Sequence, residues 1–211
     1  MRTRSRSVAL LLFDEVELLD VAASLAVLSS AGRKWNWRPF KVTTVAVRAG
    51  RITTRNQLVI EAAGTLDDCP EPELLILPGG YGARRAARDD ALVAWARKAG
   101  SGAELVLALG SGGLLAAGAG LADDQELAVP VDAGEFLAEI APKARPAAVG
   151  AGVVESGRLL SAAHSALALD VALAAVGRLL GQGQARSVAA ALGHDRNAAP
   201  EPLLIEVETR D

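Results

Sequence analysis

Apolar residues in this chain fall into short unbroken runs separated by longer stretches in which they recur every three or four positions. Val8–Phe13, Leu74–Leu77 and Leu105–Leu109 are continuous runs, the pattern of strands buried on both faces of a parallel sheet. Val42–Val47 alternates and predicts another strand. Gln57–Glu61 predicts a shorter one, with Gly50 to Asn56 as the turn between them. From Glu15 to Ala31, the residues Val16, Leu19, Ala23, Ala26 and Val27 keep helical spacing, and Gly32 stops the pattern. Leu66-Asp67-Asp68-Cys69-Pro70 is a loop ahead of Leu74–Leu77, which itself ends in Pro78-Gly79-Gly80. A helix through Ala91, Leu92, Trp95 and Ala99 follows, with Asp89 or Asp90 as its cap. The run Leu105–Leu109 then meets Gly110-Ser111-Gly112-Gly113 and a series of small residues at helical spacing, a strand feeding a helix through a tight turn. Farther on, Ala133–Ile140 predicts a short helix, and Val149–Val154 and Arg158–Ser161 predict strands around Glu155-Ser156-Gly157. Leu167–Leu180 predicts a long helix broken at Gly181, Ala185–Leu192 a last one, and Asn197 to Asp211, with Pro200 and Pro202, a tail. Strands alternating with helices predict an α/β fold with a mostly parallel sheet covered on both faces. The expectation is one domain over residues 1–196 and a C-terminal tail over 197–211.

Composition narrows the class. With 51% hydrophobic and 22% charged residues, the chain has enough apolar material to fold as one globular domain. A net charge of -3 with both signs interspersed leaves no nucleic-acid footprint, and Arg2, Arg4 and Arg6 read as a solvated end. One cysteine cannot form an intrachain disulfide, which fits a cytoplasmic location. Val8–Phe13 is too short for a signal peptide and lacks a small-residue cleavage pattern. Residues 103–121 approach the length of a membrane span, but Glu104 and the glycine cluster make them a core strand and helix. Neither membrane nor nucleic acid is expected as a partner. Two histidines and one cysteine without clustered spacing give no metal site, and no cofactor is expected.

The candidate chemistry gathers at the strand–helix turn, because such turns lie at the carboxyl edge of an open α/β sheet, where ligands bind. Ser111 is either the cap of the following helix, its hydroxyl accepting from an orphan N–H, or a nucleophile needing a base such as His164 or His194. The glycines around Ser111, Gly110 and Gly112, are candidates for cradling an anion at the helix start. Asp20 stands beside Leu18, Leu19 and Val21 on an apolar helix, where a carboxylate is costly unless it is paired or protonated. Gly79 and Gly80 shape the site wall, with amides available to face a ligand. His164, after Ala162-Ala163, is a further candidate ligand residue. Cys69 reads as a packed structural thiol, and His194 as a surface residue or a partner of a helix C-terminus. Trp35 and Trp37 fit an edge cover, a dimer surface or core packing.

Four stretches in order carry a resemblance: VALLLFDEVELLDVAASLAVLSSAG (8–32), LDDCPEPELLILPGGYG (66–82), LLAAGAGL (114–121) and SALALDVALAAVGRLLG (165–181). Together, over roughly residues 7–195, they resemble the ThiJ/PfpI superfamily, relatives of the class I glutamine amidotransferase domain. The Leu-Leu-Asp of the first helix and the Asp-Cys-Pro loop are most similar to the isonitrile hydratase-like group. The resemblance implies a flavodoxin-like three-layer sandwich, a homodimer, and a cysteine on the strand–helix elbow with an acid from the first helix beside it. Aligned through Ala119-Gly120-Leu121, the cysteine position falls on Gly110, the hydroxyl position after it on Ser111, and the acid on Asp20. Many relatives carry a histidine after the elbow helix; here Pro130 and its neighbours stand there, with no histidine between 122 and 163. The expectation is therefore a non-catalytic small-molecule-binding or regulatory domain. The alternative is an isonitrile hydratase-like hydro-lyase or hydrolase using Asp20 and Ser111; a third reading is a partner-binding dimer with a filled site. Related domains are fused to helix-turn-helix modules, but the segment after this domain is too short for one, so direct DNA binding is not expected.

Overall fold

The unbroken apolar runs become the middle of one sheet in the structure, a computed structural model that describes residues 4–33 and 37–194. In chain order, β1 (Arg6–Leu11) leads to α1 (Leu18–Ser30), β2 (Phe40–Ala46), a hairpin of β3 (Gly50–Thr53) and β4 (Val59–Ala62), and β5 (Gly64–Thr65). β6 (Leu74–Leu77) is followed by the one-turn α2 (Ala83–Ala86) and α3 (Asp90–Gly102), and β7 (Leu105–Leu109) by α4 (Gly112–Gly118). Then come β8 (Glu126–Leu127), α5 (Gly134–Ile140), β9 (Arg145–Pro146), β10 (Val154–Ser156), β11 (Leu159–Ala162), α6 (Ala168–Leu180) and α7 (Gln182–Ala191).

Among the described residues the main sheet has seven strands in the order β10-β11-β7-β6-β1-β2-β5. Every neighbouring pair is parallel except β10 with β11. All four residues of β6 are fully buried, as a strand covered on both faces requires. α1, α6 and α7 pack together as one helical layer, and α4 packs among α2, α3 and α5 as the other. The fold is thus the expected flavodoxin-like sandwich. β1 lies between β2, which follows it in the chain, and β6, which pairs on its other side. The connections diverge there, and a crevice opens at the carboxyl ends of the strands.

Local signals act as read in several places. Asp89 caps α3, accepting from the N–H groups of Ala91 and Leu92 at 3.0 Å each, which decides between the two capping aspartates. Gly181 ends α6 with φ +93°. Elsewhere the structure corrects the reading. Gly50–Thr53 is a strand rather than part of a turn, because Ile52 packs inward and pairs opposite Ile60. The turn of that hairpin is confined to 54–58. Val154–Ser156 pairs antiparallel with Leu159–Ser161, so Glu155 and Ser156 belong to a strand and the tight turn falls at Gly157. The run 149–153 contributes no strand. α2, β8 and β9 carry no pattern that the sequence reading detects. Trp35 and the 197–211 tail lie outside the described residues. No described helix is long and apolar enough to cross a membrane, and residues 105–118 are β7 and α4.

Candidate functional site

β7 ends at the carboxyl edge of the sheet, where Gly110 donates its N–H to the Ala162 carbonyl at 2.8 Å and turns with φ +52°. Ser111, by contrast, is right-handed helical at φ -69°. The left-handed conformation that marks a strained strand–helix elbow therefore falls on residue 110. A Cβ placed on Gly110 would lie 3.5 Å from Ser165 Oγ, 3.8 Å from Asp20 Oδ2 and 3.9 Å from the Ala163 carbonyl oxygen, all ordinary contacts. The elbow has room for a side chain and is bounded by three oxygens. Gly112 is the opposite case. A Cβ there would lie 2.1 Å from the Leu77 carbonyl oxygen, so this glycine lets α4 start hard against the end of β6. It is buried packing rather than the ligand cradle the sequence suggested.

Asp20 sits in the first turn of α1 and is fully buried. Its Oδ2 accepts from the Gly79 N–H at 2.8 Å, and its Oδ1 has no hydrogen-bond partner. Burial, reinforced by the nearby charge of Glu17, raises its pKa from 3.8 to about 6, against the opposing pull of the Gly79 amide, the Ser165 hydroxyl and Arg55. The sequence placed Asp20 beside the elbow, and the structure puts it there. It lies beneath the cavity floor, however, not on the cavity surface.

Ser111 occupies the N-cap position of α4, yet its side chain makes no capping hydrogen bond. Its Oγ donates to the Gly80 carbonyl and accepts from the Gly80 N–H, at 3.0 Å in both directions. This corrects the capping reading, since the hydroxyl ties the elbow to the Pro-Gly-Gly turn instead. The amides of that turn are committed as well, Gly79 to Asp20 and Gly80 to Ser111. Gly80 lines the cavity, as expected of the site wall, while both amides are engaged within the protein and hold the elbow and the turn together.

Above the elbow lies a cavity of about 500 Å³, lined by Gly110, Ser111, His164, Ser165, Arg55 and Tyr81 among others. His164, an exposed residue, does reach this site, at its mouth. Glu17, Arg55, Tyr81, Arg84 and Ser165 were missed from sequence. Glu17 bonds Arg55 at 2.7 Å, and the same guanidinium reaches the Tyr81 hydroxyl at 3.2 Å and stacks 4.4 Å from its ring. Arg84 of α2 donates to the Asp132 carbonyl at 2.7 Å and stacks 5.5 Å from the Phe136 ring, and Arg88, just past α2, stacks 4.6 Å from the same ring, so these arginines brace the segment whose Pro130, Asp132 and Ala133 line the cavity. Ser165 had one usable signal: it follows His164 just past the end of a strand that pairs with β7.

The remaining candidates lie elsewhere. A larger hollow of about 740 Å³ runs between α1 and β2 against Trp37 and Arg38. Among the described residues no carboxylate, histidine or cysteine lines it, so the elbow cavity is the better candidate despite its smaller size. Cys69 is half-buried, donates to the Pro70 carbonyl at 3.3 Å, and has its thiol pKa pushed up by burial. It borders a separate hollow beside α3 and is no nucleophile for the elbow. His194 is not a free surface residue: its N–H closes the end of α7 on the Ala189 carbonyl at 2.9 Å, and its ring Nε2 lies 2.8 Å from Oδ1 of the buried Asp170 in α6 rather than at a helix C-terminus. Among the described residues no three histidines, cysteines or carboxylates converge as metal ligands. The elbow itself offers a buried carboxyl with a raised pKa, a fixed hydroxyl and an empty side-chain position.

The model of the DJ-1/PfpI family matches residues 6–177. Comparison with curated proteins gives no match. Among solved structures, the chain is similar to a ThiJ/PfpI family protein from Pseudomonas syringae, with 23% identity, a TM-score of 0.83, and coverage of 95% of this chain and 79% of that one. It is similar to Drosophila melanogaster DJ-1beta at 20% identity and a TM-score of 0.79, over 91% of this chain and 100% of that one. It is also similar to an AraC family transcriptional regulator from Pseudomonas putida, at 23% identity and a TM-score of 0.72, over 89% and 99% of the two chains. At these identities the likeness to solved structures concerns the fold.

Proposed function

The chain belongs to the DJ-1/PfpI family, and from that premise we propose that it is a non-catalytic member, a small-molecule-binding or regulatory domain whose ligand occupies the elbow cavity. One observation carries this reading. The elbow conformation is kept at residue 110, with φ +52° and with Asp20 Oδ2 3.8 Å from the Cβ position, yet the residue there is glycine. A scaffold that holds an acid beside an empty nucleophile position has the geometry of thiol chemistry without the thiol, since Cys69 is the chain's one cysteine and lies at another hollow. What is left is a concave cavity of about 500 Å³ with a few polar groups, the form of a small-molecule site. Occurrence of the same fold in an AraC family transcriptional regulator is compatible with a regulatory role.

The competing reading is an isonitrile hydratase-like hydro-lyase or hydrolase in which Asp20 and Ser111 position water. It is weaker on two counts. The Ser111 hydroxyl is engaged by Gly80 in both directions, so a base would have to break that pair before drawing its proton. Asp20 is fully buried and does not line the cavity. Isocyanide hydration by the wild type beside a Gly110→Cys variant separates the readings. The expected result is an inert wild type and turnover in the variant. Turnover by the wild type that Asp20→Asn or Ser111→Ala removes would overturn the binding reading. Inactivity of both proteins would remove the isonitrile hydratase-like subgroup and leave the family assignment in place.

A further inference from the structure

We propose that the elbow cavity takes a small monocarboxylate, its head on the edge of the Arg84 guanidinium and its short apolar body against Pro130, Ala133 and Ala163. This rests on the binding reading above and names its ligand class. Among the described residues four charged side chains line the cavity, Glu17, Asp132, Arg55 and Arg84, two of each sign. The sum of charge therefore favours neither an anion nor a cation. The choice falls instead to the groups that are not already spent within the protein.

The charged acceptors are either spent or in water. Glu17 is buried, and its two carboxylate oxygens accept from the Leu19 N–H at 3.2 Å and from Arg55 at 2.7 Å. The Asp132 side chain is 83% exposed, where solvent and salt screen its charge. The donors are not spent. A guanidinium carries five N–H groups. Arg55 uses one nitrogen on Glu17 and another on the Tyr81 hydroxyl, which leaves its Nε and the Tyr81 O–H proton open. Arg84 uses Nη2 alone, at 2.7 Å on the neutral Asp132 carbonyl and 3.4 Å on the exposed carboxylate. An ion pair that long and that wet offsets little of the charge. Both guanidiniums stack by their faces, Arg55 on Tyr81 at 4.4 Å and Arg84 on Phe136 at 5.5 Å, and a stacked guanidinium still offers the N–H groups of its edge. That edge suits a carboxylate, through charge-assisted hydrogen bonds. A cation finds no equivalent, since no lining carboxylate has an oxygen that is both unengaged and shielded from water. Pro130 and Ala133, which flank the Arg84 partner Asp132 in the chain, join Ala163 in giving the lining apolar surface for the rest of the ligand.

Three probes of one shape test the idea on the 211-residue chain at neutral pH and low salt: butyrate, n-butanol and n-butylammonium, titrated by ligand-observed NMR. Butyrate is expected to bind about tenfold or more tightly than butanol, the difference a charge-assisted hydrogen bond supplies, and butylammonium more weakly than either. Arg84→Gln keeps a donor for the Asp132 carbonyl and leaves Arg88 stacked on Phe136. It is expected to weaken butyrate about tenfold and to leave butanol unchanged. Asp132→Asn removes the negative charge beside Arg84 and is expected to tighten butyrate about twofold. Circular dichroism checks that both variants are folded. Equal or tighter binding of butanol or butylammonium would overturn the carboxylate head while leaving a ligand-binding cavity. Butyrate affinity unchanged in Arg84→Gln would overturn the anchor. Weaker butyrate binding in Asp132→Asn would show that Arg84 serves that side chain rather than a ligand, and no binding of butyrate to the wild type would end the proposal. Failure of the binding reading itself shows separately, as isocyanide turnover by the wild type.

Discussion

Asp20 is the residue whose energetics most clearly reflect its surroundings. Its pKa rises from 3.8 to about 6 because burial penalises the charged form more than the Gly79 amide, the Ser165 hydroxyl and Arg55 relieve it. Between those values the folded state holds a proton that the unfolded chain has released. Stability from this group is thus fully present below about 3.8 and is lost as pH rises through about 6. Each tenfold change in proton affinity is worth about 1.4 kcal/mol, so the loss comes to about 3 kcal/mol. Asp20→Asn keeps an oxygen for the Gly79 N–H and has no charge to bury. The variant is expected to be more stable than wild type at pH 7 by about 1–3 kcal/mol, with a flat profile where the wild type declines. Urea unfolding of both proteins from pH 4 to 7.5 measures this. A flat wild-type profile, or a variant less stable at neutral pH, would contradict the account.

At the scale of elements, the elbow depends on two glycines for different reasons. Gly112 allows contact between α4 and the end of β6, since a methyl group would sit 2.1 Å from the Leu77 carbonyl oxygen. Gly110 allows a left-handed turn, with open space where a methyl group would go. Gly112→Ala is therefore expected to cost about 3 kcal/mol or more, through displacement of α4. Gly110→Ala costs about 1 kcal/mol for its backbone conformation alone. Urea midpoints rank the two, and a larger loss at position 110 would show that the elbow is not built this way. The same elements show what a sequence can reveal. β1, β6 and β7 were legible because burial on both faces leaves an unbroken apolar run, and α3 because its cap and period agree. β3 was not, because Ile52 is the one apolar residue in its four and gives no period. β8 and β9 are two residues each and exist only by pairing with one another, while α2 is a single turn carrying two arginines. In the site, Asp20 and Gly110 could be placed by aligning the stretches around them. Arg55, Tyr81, Arg84 and Ser165 could not: they come from a hairpin turn, the Pro-Gly-Gly loop, α2 and the loop after β11. Only the fold brings them to one cavity.

Over the whole molecule, the parallel sheet gathers these distant segments at one edge, and the C-terminal helices secure the last of them. The loop that carries Ala163, His164 and Ser165 runs directly into α6, whose first turn buries Asp170. α7 folds back along α6 and α1, and His194 just beyond it binds Asp170 Oδ1 at 2.8 Å. That bond links the end of the last described helix to the base of the site loop. The elbow side of the loop is held independently, by the Gly110 N–H on the Ala162 carbonyl and by the pairing of β7 with β11. The two attachments should therefore fail separately. His194→Ala withdraws one partner from a buried carboxylate, at an expected cost of about 1.5–3 kcal/mol. Amide exchange is expected to quicken first in α7 and the start of α6, with β7 and β11 protected up to global unfolding. The elbow cavity then keeps its shape, since no direct contact in it is lost. If exchange instead rises equally in β7 and β11, the two attachments act as one. The C-terminal helices would then belong to the binding site rather than to the frame around it.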